Sequence, residues 1–480
     1  MATTEPAATS SPTAADGGAA DLWTPPPFAR ELIRKYDRPG PRYTSYPTAP
    51  SFRDDFGPEQ YSRLLERSAS RPAPLSLYVH VPFCETRCFF CGCNVTISRD
   101  KERGTRYLAS LHEEMARVSE RLCGDGRPVV QVHWGGGTPT FLLPEDILAL
   151  GQAIRRDFVL SPELELGVEI DPRRCTSEQL DALAAIGVNR LSLGVQDLDP
   201  RVQAAVNRWQ PLEVTERVIA EARRRGIGSV NVDLIYGLPH QTPQSFAATV
   251  RDVLALGPDR LAVFNFAYLP QMLPHQGVID PAHLPTPEVK LTLLEEVIAV
   301  ITAGGYVFIG MDHFARPQDP LALALRDRTL TRNFQGYSTW GGTELVGFGS
   351  SAIGQVGGGY AQNLKSVPAY QEALDRGIFA TARGLALSAE DELRRDVILR
   401  LMCHFRVDKR GIEEAHGIDF DRHFAAEMAR LAPLADDGLV RVEPDRLEVT
   451  PLGRLLVRNV AMEFDQYLQG VEVPAFSRTV

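Results

Sequence analysis

The sequence predicts an α/β protein: an open parallel β/α barrel followed by a smaller, mainly helical and winged-helix-like domain. Short apolar runs alternate with helical periods between residues 75 and 309. Regular alternation of this kind gives a parallel sheet with right-handed crossovers. Polar or glycine-rich residues follow most of these runs, as expected where the carboxyl ends of parallel strands build a functional site.

The strand candidates are short runs rich in apolar residues, and they lie at residues 75–83, 129–134, 164–170, 190–195, 230–235, 261–265 and 306–309. Apolar residues at three- and four-residue steps predict helices over 108–122 and 147–158. Thr176 and Gln179 predict a capping box. Gly187, Gly226 and Gly304 stand where helices should end.

The chain divides into four predicted segments. Residues 1–24, rich in Ala, Thr, Ser and Pro and lacking the features of a secretory signal, are expected to be a disordered extension. Residues 25–70, rich in Pro and Tyr, are either a linker or an arm over the site, and we predict the arm. Residues 71–365 form the barrel.

Residues 366–480 form the predicted second domain. A helix starts at Ser388, a second one runs through Phe420 and is stopped by Pro433, a hairpin spans 439–450, and a last helix reaches about Leu468. Winged helices often bind DNA, but these helices have mixed charge, so we predict a module that packs beside the barrel.

The amino-acid composition argues against some functional classes. The 480 residues are 44% hydrophobic and carry a formal net charge of −10, which argues against general binding to nucleic acid or membrane surfaces. A polyanionic substrate would need a locally basic pocket. No apolar run reaches the roughly 18 residues of a membrane span, and we expect a cytoplasmic monomer.

The most informative motif is a cysteine loop with Cys84, Cys88, Cys91 and Cys93 directly after the first strand. Three thiols spaced C-x3-C-x2-C can converge on one inorganic centre. A cubane iron–sulfur cluster takes four ligands, so three leave one iron free to bind something other than protein. A zinc site completed by Cys93 is the less favoured alternative, because structural zinc usually uses two separated ligand pairs. A disulfide framework is not expected in a reduced compartment.

Other candidates lie at predicted strand ends. The loop 135–139, Gly-Gly-Gly-Thr-Pro, is expected to bind a carboxylate through backbone amides. Glu169 and Asp233 could bind ribose hydroxyls or an ammonium group, or be merely exposed charges. Arg208 could clamp an anion. His80, His133 and His313 are predicted core residues rather than catalysts.

The cysteine loop resembles that of the radical S-adenosylmethionine enzymes. The resemblance implies a 4Fe–4S cluster held by Cys84, Cys88 and Cys91, with S-adenosylmethionine on the open iron. From about Tyr36 onward the chain also resembles the oxygen-independent coproporphyrinogen III oxidase family. The matching segments lie at residues 39–47, 78–84, 91–93, 133–140, 194–197, 233–239, 308–317 and 333–337.

The family resemblance implies two S-adenosylmethionine molecules per site. The implied contacts of the cluster-bound molecule are Tyr78, Phe90, Gly136, Glu169 and Ile353. The implied contacts of the second are Gly137, Thr138, Gln196, Arg208, Asp233 and Ala267. Cys93 is similar to a thiol required for activity that is not a cluster ligand.

The implied reaction converts two propionates of coproporphyrinogen III to vinyl groups, with an electron donor and an electron acceptor as further partners. Arg42, Arg316 and Arg394 are our candidates for binding the propionates. The alternatives are a haem-trafficking chaperone of the same superfamily and a DNA-binding regulator. Cys93 and the arm at 39–47 favour the enzyme over the chaperone, whose relatives carry an aromatic residue at the position of Cys93.

Overall fold

The fold was analysed in a computed structural model that describes residues 25–26, 28–122, 126–468, 476 and 478–479. The predicted disordered extension, residues 1–24, lies outside the described residues. Within the described part of the chain, no helix combines the length and the apolar composition needed to cross a membrane.

The strands belong to one large sheet and three small ones. In chain order they are β1 (Leu75–Val81), β2 (Phe83–Cys84), β3 (Thr96–Ile97), β4 (Pro128–Gly136), β5 (Val159–Ile170), β6 (Arg190–Gln196), β7 (Ser229–Tyr236), β8 (Arg260–Asn265), β9 (Val307–Gly310), β10 (His313–Ala315), β11 (Thr331–Asn333), β12 (Gly336–Ser338), β13 (Glu344–Phe348), β14 (Ile353–Val356), β15 (Gly359–Asn363), β16 (Thr381–Ala386), β17 (Arg406–Asp408), β18 (Val440–Val442) and β19 (Arg446–Val449).

Helices lie between and after these strands. In chain order they are α1 (Arg30–Tyr36), α2 (Pro58–Ala69), α3 (Glu102–Leu122), α4 (Pro144–Asp157), α5 (Ser177–Ala185), α6 (Pro200–Ala205), α7 (Leu212–Arg224), α8 (Pro243–Ala255), α9 (Pro287–Ala303), α10 (Pro320–Arg326), α11 (Val367–Asp375), α12 (Ala389–His404), α13 (Lys409–His416), α14 (Phe420–His423), α15 (Ala425–Asp436) and α16 (Val457–Met462).

The centre of the large sheet is parallel, as predicted. Strands β13, β1, β4, β5, β6, β7 and β8 lie side by side in that order, each parallel to the next. In β1 every residue but Tyr78 is buried, as in parallel strands covered on both faces. Register pairs Tyr78 with Gly347 on one side and His133 on the other. The shared direction brings the ends of β1, β4, β5, β6 and β7 to one edge.

Two strand assignments need correction. The predicted strand at 306–309 forms as β9, but β10 is inserted between it and β8, antiparallel to both. Strand β13 was missed, although it is the parallel neighbour of β1. The large sheet continues antiparallel through β14, β15 and β16 to Ala386, past the boundary expected at residue 366.

The local sequence signals predicted several helix ends correctly. Thr176 accepts a hydrogen bond from the Gln179 amide at 3.2 Å and its own amide donates to Gln179, so the capping box is present. Helix α9 ends at Ala303, with Gly304 as its C-cap as predicted, but the left-handed residue is Gly305, with φ +84°. Such a conformation is easiest for glycine because it has no Cβ.

The second domain contains helices α12–α16 and a small sheet with the strand order β17-β19-β18. Ser388 caps α12 through the Asp391 amide at 3.1 Å, as expected. Pro433 does not stop the preceding helix, because α15 continues to Asp436. The next turn buries Leu434 and closes with a bond from the Asp437 amide to Pro433 O, so tertiary packing outweighs the proline.

The predicted last helix is shorter than expected, since α16 ends at Met462 and only a 3-10 turn covers Gln466–Leu468. The arm lies against this region. Tyr43 and Tyr46 are buried in the same apolar cluster as the second domain, and Tyr43 Oη donates to Asp465 at 3.0 Å. The four-segment division itself remains a prediction.

Candidate functional site

The cysteine loop opens into a cavity of about 180 Å³ at the carboxyl end of the parallel strands. Cys88 is buried, Cys84 and Cys91 are partly buried and Cys93 is exposed. The predicted site residues that line this cavity are Cys84, Cys88, Phe90, Cys91, Cys93, Gly136, Gly137, Thr138, Glu169, Gln196, Arg208 and Asp233. Folding therefore brings residues from five strand ends to one place.

Two arginines surround Cys88, the most buried thiol of the cysteine loop. Arg173 Nη2 and Arg208 Nη1 each lie 3.6 Å from Cys88 Sγ. Asp171 holds both guanidinium groups, through Arg173 Nη2 at 2.6 Å and Arg208 Nη2 at 3.4 Å. Because a metal-bound thiolate is an anion, two adjacent cations stabilise it.

The other thiols differ in protonation. Burial raises the pKa of the Cys84 thiol to about 11. The hydrogen bond between Cys91 and Cys93 has the largest influence on both, lowering the pKa of Cys91 to about 6 and raising that of Cys93. Cys91 is therefore the thiolate and Cys93 the donor. The thiolate is the form that binds metal; the roles of these two residues stay predictions.

The loop after β4 approaches the cysteine loop too closely for side chains. A Cβ on Gly136 would lie 2.6 Å from the His80 ring, and one on Gly137 would lie 2.7 Å from Phe83 O. The amides of residues 136, 137 and 138 already donate to Glu169, Val81 O and Phe83 O. In this structure these three amides fix the loop to Glu169 and to the start of the cysteine motif, and carboxylate binding by the loop stays a prediction.

Glu169 and Asp233 differ in their electrostatic surroundings. Burial opposes ionisation of Glu169, but contacts with His133 at 3.2 Å and the Gly136 amide outweigh it and lower the pKa of Glu169. Burial, reinforced by the charge of Glu169, raises the pKa of Asp233 to about 6 despite bonds from Asn231 and Ser192. Both carboxylates face the cavity.

A second cavity of about 300 Å³ adjoins the first and shares Cys93, Gly136 and Glu169 with it. It contains two further predicted contacts, Tyr78 and Ile353. Tyr78 Oη lies 3.0 Å from His80 Nδ1, and His80 Nε2 lies 3.1 Å from Asn94 O. His80 is buried and both of its ring nitrogens have partners, as predicted for a core residue, and it also lines this cavity.

The sequence reasoning missed several residues of the site. Phe334 and Gln335, at the tip of the hairpin between β11 and β12, line the second cavity; their segment matched the family, but no role was assigned to it. Gln276 Nε2 donates to both Phe90 O and Ala267 O at 3.2 Å, which brings the predicted Ala267 beside the cysteine loop. No local motif marks Gln276.

The three candidate arginines for propionate binding lie in three different environments. Arg316 contacts Pro258 O and Asp259 O, before β8 begins, so it lies at the opposite end of the sheet and its assignment is wrong. Arg394 is paired with Glu390 and Glu427 inside the second domain, so its assignment is also wrong. Arg42 pairs with Asp312 and lies 5.6 Å from the Phe264 ring near the end of β8.

The residues present fit an iron–sulfur cluster and S-adenosylmethionine. Three thiols share one wall, and within the described residues Gln196 Oε1 and Arg208 Nε are buried polar atoms without a partner beside it. Unsatisfied buried polar atoms are expected where a polar ligand belongs. In the same described ranges no group of three or more Cys, His, Asp or Glu side chains is arranged to hold a single metal ion.

Comparisons with known proteins agree with this geometry. The Radical SAM superfamily profile matches residues 78–253, and the HemN C-terminal domain profile matches residues 387–456. Oxygen-independent coproporphyrinogen III oxidase of Escherichia coli strain K12 is 48% identical over 94% of this chain and 98% of its own length. The Pseudomonas aeruginosa oxidase is 47% identical over the same shares, 94% and 98%.

A solved structure, described as coproporphyrinogen III oxidase (HemN) from Escherichia coli and as a radical SAM enzyme, superposes with a TM-score of 0.88. It is 46% identical, and the match covers 93% of this chain and 100% of that one. The predicted fold class is thereby confirmed, and the radical SAM family implies a 4Fe–4S cluster and S-adenosylmethionine. This chain belongs to the oxygen-independent coproporphyrinogen III oxidases, enzymes of the radical SAM superfamily.

Proposed function

We propose that the enzyme oxidatively decarboxylates two propionate side chains of coproporphyrinogen III to vinyl groups, giving protoporphyrinogen IX in cytoplasmic haem biosynthesis. The observation that carries the proposal is the meeting of three cysteines with Glu169 and Asp233 in one cavity, joined at Cys93 to a second cavity. In this proposal the first cavity holds the cluster and S-adenosylmethionine, which supply the radical, and the second cavity adjoins it.

The substrate explains why such a cofactor is needed. The β C–H bond of a propionate is unactivated, and no side-chain base removes its proton at neutral pH. When bound, the cluster and S-adenosylmethionine supply a 5′-deoxyadenosyl radical that takes this hydrogen atom. Loss of CO2 and of one electron to an acceptor then leaves the vinyl group. The protein positions the reactants and excludes water.

Cofactor binding is divided between two sets of residues. Cys84, Cys88 and Cys91 hold the cluster in this proposal. The residues proposed for the cluster-bound S-adenosylmethionine are Tyr78, Phe90, Gly136, Glu169 and Ile353. Those proposed for a second molecule are Gly137, Thr138, Gln196, Arg208, Asp233 and Ala267. The unpartnered Gln196 Oε1 supports the second set.

Cys93 has a separate proposed role in turnover. Its thiol is exposed, lines both cavities and donates toward Cys91. A thiol that keeps its hydrogen beside the cluster is a poor ligand, but it is well located to exchange a hydrogen atom or a proton with a bound substrate. We therefore expect Cys93 to matter for product formation and not for cluster assembly.

Propionates that do not react need cations, and the ends of β7 and β8 offer them. Arg42 lies beside Phe264, and Lys290 Nζ donates to Phe266 O at 3.2 Å. Among the described residues, Arg458 donates to two backbone carbonyls, those of Gly40 and Arg478. Among the described residues, Lys290 and Arg458 form no ion pair with a carboxylate, so both are available to a carboxylate ligand.

Anaerobic incubation of the reconstituted enzyme with S-adenosylmethionine, coproporphyrinogen III and a chemical reductant tests the function. Mass spectrometry should detect protoporphyrinogen IX, 5′-deoxyadenosine and methionine. Cys84→Ala should lose both iron and product, whereas Cys93→Ser should retain iron and lose product. Stable haem binding by a fully loaded wild-type protein that forms no vinyl product would contradict the proposal.

A further inference from the structure

A buried carboxylate lies behind the wall of the second cavity. Glu114, in the middle of α3, is 1% exposed and lies outside both cavities. Its carboxylate accepts hydrogen bonds from the Gly349 amide at 2.8 Å, from Asn363 Nδ2 at 2.7 Å and from Tyr370 Oη at 2.6 Å. Within the described residues it has no cationic partner, and burial raises the pKa of Glu114 to about 7. Burying a carboxylate that has no cation beside it is costly, so packing alone would favour an apolar side chain here.

Glu114 holds the loop between β13 and β14, residues 349–352, at both of its ends. At the start of the loop it accepts from the Gly349 amide directly. Asn363, the last residue of β15, uses the same Nδ2 that binds Glu114 to donate to Gly349 O at 3.0 Å. The backbone amide of Asn363 donates to Ala352 O at 2.9 Å. The end of the loop is therefore tied to Glu114 through Asn363.

A second side chain of α3 supports the same loop. Tyr107 lies two turns before Glu114 on the same face of the helix. Its hydroxyl accepts from the Ser350 amide at 2.7 Å and donates to His80 O at 3.0 Å. A Cβ on Gly349 would lie 2.5 Å from this hydroxyl and 2.6 Å from His80 O. The loop is therefore packed closely between α3 and the end of β1.

The loop leads into residues that line the second cavity. Ser351 lies within the loop and Ile353 directly after it, and both line that cavity. Ser351 Oγ also lies 3.5 Å from His80 Nε2 in the same wall. The proposed function assigns Ile353 to the cluster-bound S-adenosylmethionine. A shift of the loop would therefore move a side chain that contacts the bound molecule, and this would weaken binding.

We propose that Glu114 is a positioning residue for S-adenosylmethionine, because it fixes the loop that leads into Ile353. The inference rests on the proposed function, which supplies the role of Ile353. A carboxylate suits this task because both of its oxygens are acceptors. Oε2 accepts from Gly349 and Tyr370, and Oε1 accepts from Asn363. Glutamine has the same shape, but its amide nitrogen would face one of these donors.

Two variants weaken this support without changing a residue of either cavity. Glu114→Gln places an amide nitrogen opposite a donor, and Tyr370→Phe removes one donor and leaves the other two bonds. Asp391→Asn is the matched control, because Asp391 is 3% exposed in the second domain. Its carboxylate also accepts from a backbone amide, a side-chain amide and a tyrosine hydroxyl, those of Ser388, Gln466 and Tyr467.

The first measurement is hydrogen exchange in the reconstituted full chain before S-adenosylmethionine is added. Mass spectrometry should show the amides of residues 349–353 exchanging about tenfold faster in Glu114→Gln than in the wild type. The second is the rate of 5′-deoxyadenosine formation with coproporphyrinogen III and a chemical reductant. The KM for S-adenosylmethionine should rise about tenfold in Glu114→Gln and about threefold in Tyr370→Phe, with kcat within twofold. Asp391→Asn should match the wild type in both measurements.

A wild-type KM in both variants would overturn the inference, and so would a lower kcat at an unchanged KM. An equal rise of KM in Asp391→Asn, or unchanged exchange of residues 349–353 in Glu114→Gln, would overturn it as well. If Glu114→Gln does not fold, a wild-type KM in Tyr370→Phe is sufficient to overturn it. Failure of the wild-type enzyme to form vinyl product would instead refute the proposed function.

Discussion

Gly137→Ala should prevent cluster assembly without altering any ligand. The new Cβ would lie 2.7 Å from Phe83 O and 2.9 Å from both Phe83 N and Pro82 C. Carbon atoms in proteins approach to about 3.5 Å, so the two loops must separate by roughly 0.7 Å. All three neighbours are backbone atoms, which cannot rotate away. Overpacking of this kind costs about 1–3 kcal/mol.

The displacement reaches the metal site directly. Thr138 donates its amide to Phe83 O at 2.9 Å, and its hydroxyl lies 3.4 Å from Cys84 Sγ. Moving the 136–138 loop therefore moves the wall around the first ligand. We expect Gly137→Ala to bind well under half of the wild-type iron and to lose about 2 kcal/mol of unfolding free energy in its iron-free form.

Gly228→Ala is the matched control, because a Cβ there meets no atom within 4 Å. Iron content after anaerobic reconstitution and urea unfolding followed by circular dichroism measure the two effects. If Gly137→Ala took up full iron and unfolded at the same urea concentration as Gly228→Ala, the close contact between the loops would not be required.

Three further changes test the electrostatics of the site. Asp233→Asn should stabilise the iron-free protein by about 2 kcal/mol at pH 8 and by little at pH 4. The reason is that the pKa of Asp233 is raised to about 6 in the folded protein. The side chain therefore favours folding at low pH, and this contribution is lost as the pH rises through 6. Urea unfolding at both pH values measures this, and equal effects at both would contradict it. Lys290→Met should weaken binding of the fluorescent tetracarboxylate coproporphyrin III about tenfold but leave iron content unchanged, and Arg316→Gln should bind normally. Arg173→Gln removes a positive charge beside Cys88 and should lower the midpoint potential of the cluster by about 30–60 mV, since 59 mV corresponds to 1.4 kcal/mol for one electron. A redox titration followed by electron paramagnetic resonance measures this potential. A higher potential, or the same decrease in Arg174→Gln, would contradict the prediction.

The parts of the fold that depend on neighbouring residues were predictable, and those that depend on distant ones were not. The Thr176 capping box is formed by residues that are close in sequence, and the apolar composition of the parallel strands predicts them. Strand β13 is short, lies between glycines at 342 and 349, and pairs with β1 across more than 260 residues of chain. Nothing near it in sequence indicates that partner.

The same limit applies to the site. The cysteine spacing and the carboxylates at strand ends predicted which residues meet, because parallel strands bring their ends together. The hydrogen-bond state of the amides at 136–138 could not be read in the same way, since their acceptors come from β1, β2 and β5. Arg394 was misassigned because its ion-pair partners Glu390 and Glu427 are set by tertiary structure, and Arg316 because the fold places it at the opposite end of the sheet.

Positive and negative groups are distributed unevenly around the cavity. Asp171 holds Arg173 and Arg208 against Cys88, so positive charge is concentrated behind the thiolates. Glu169 and Asp233 put negative charge on a different part of the wall. S-adenosylmethionine carries a carboxylate at one end and cationic ammonium and sulfonium groups beside it. A ligand with this separation of charge gains Coulomb energy in one orientation and loses it in the reverse one. We therefore propose that the two carboxylates orient the ligand; burial first, and the charge of Glu169 second, raise the pKa of Asp233.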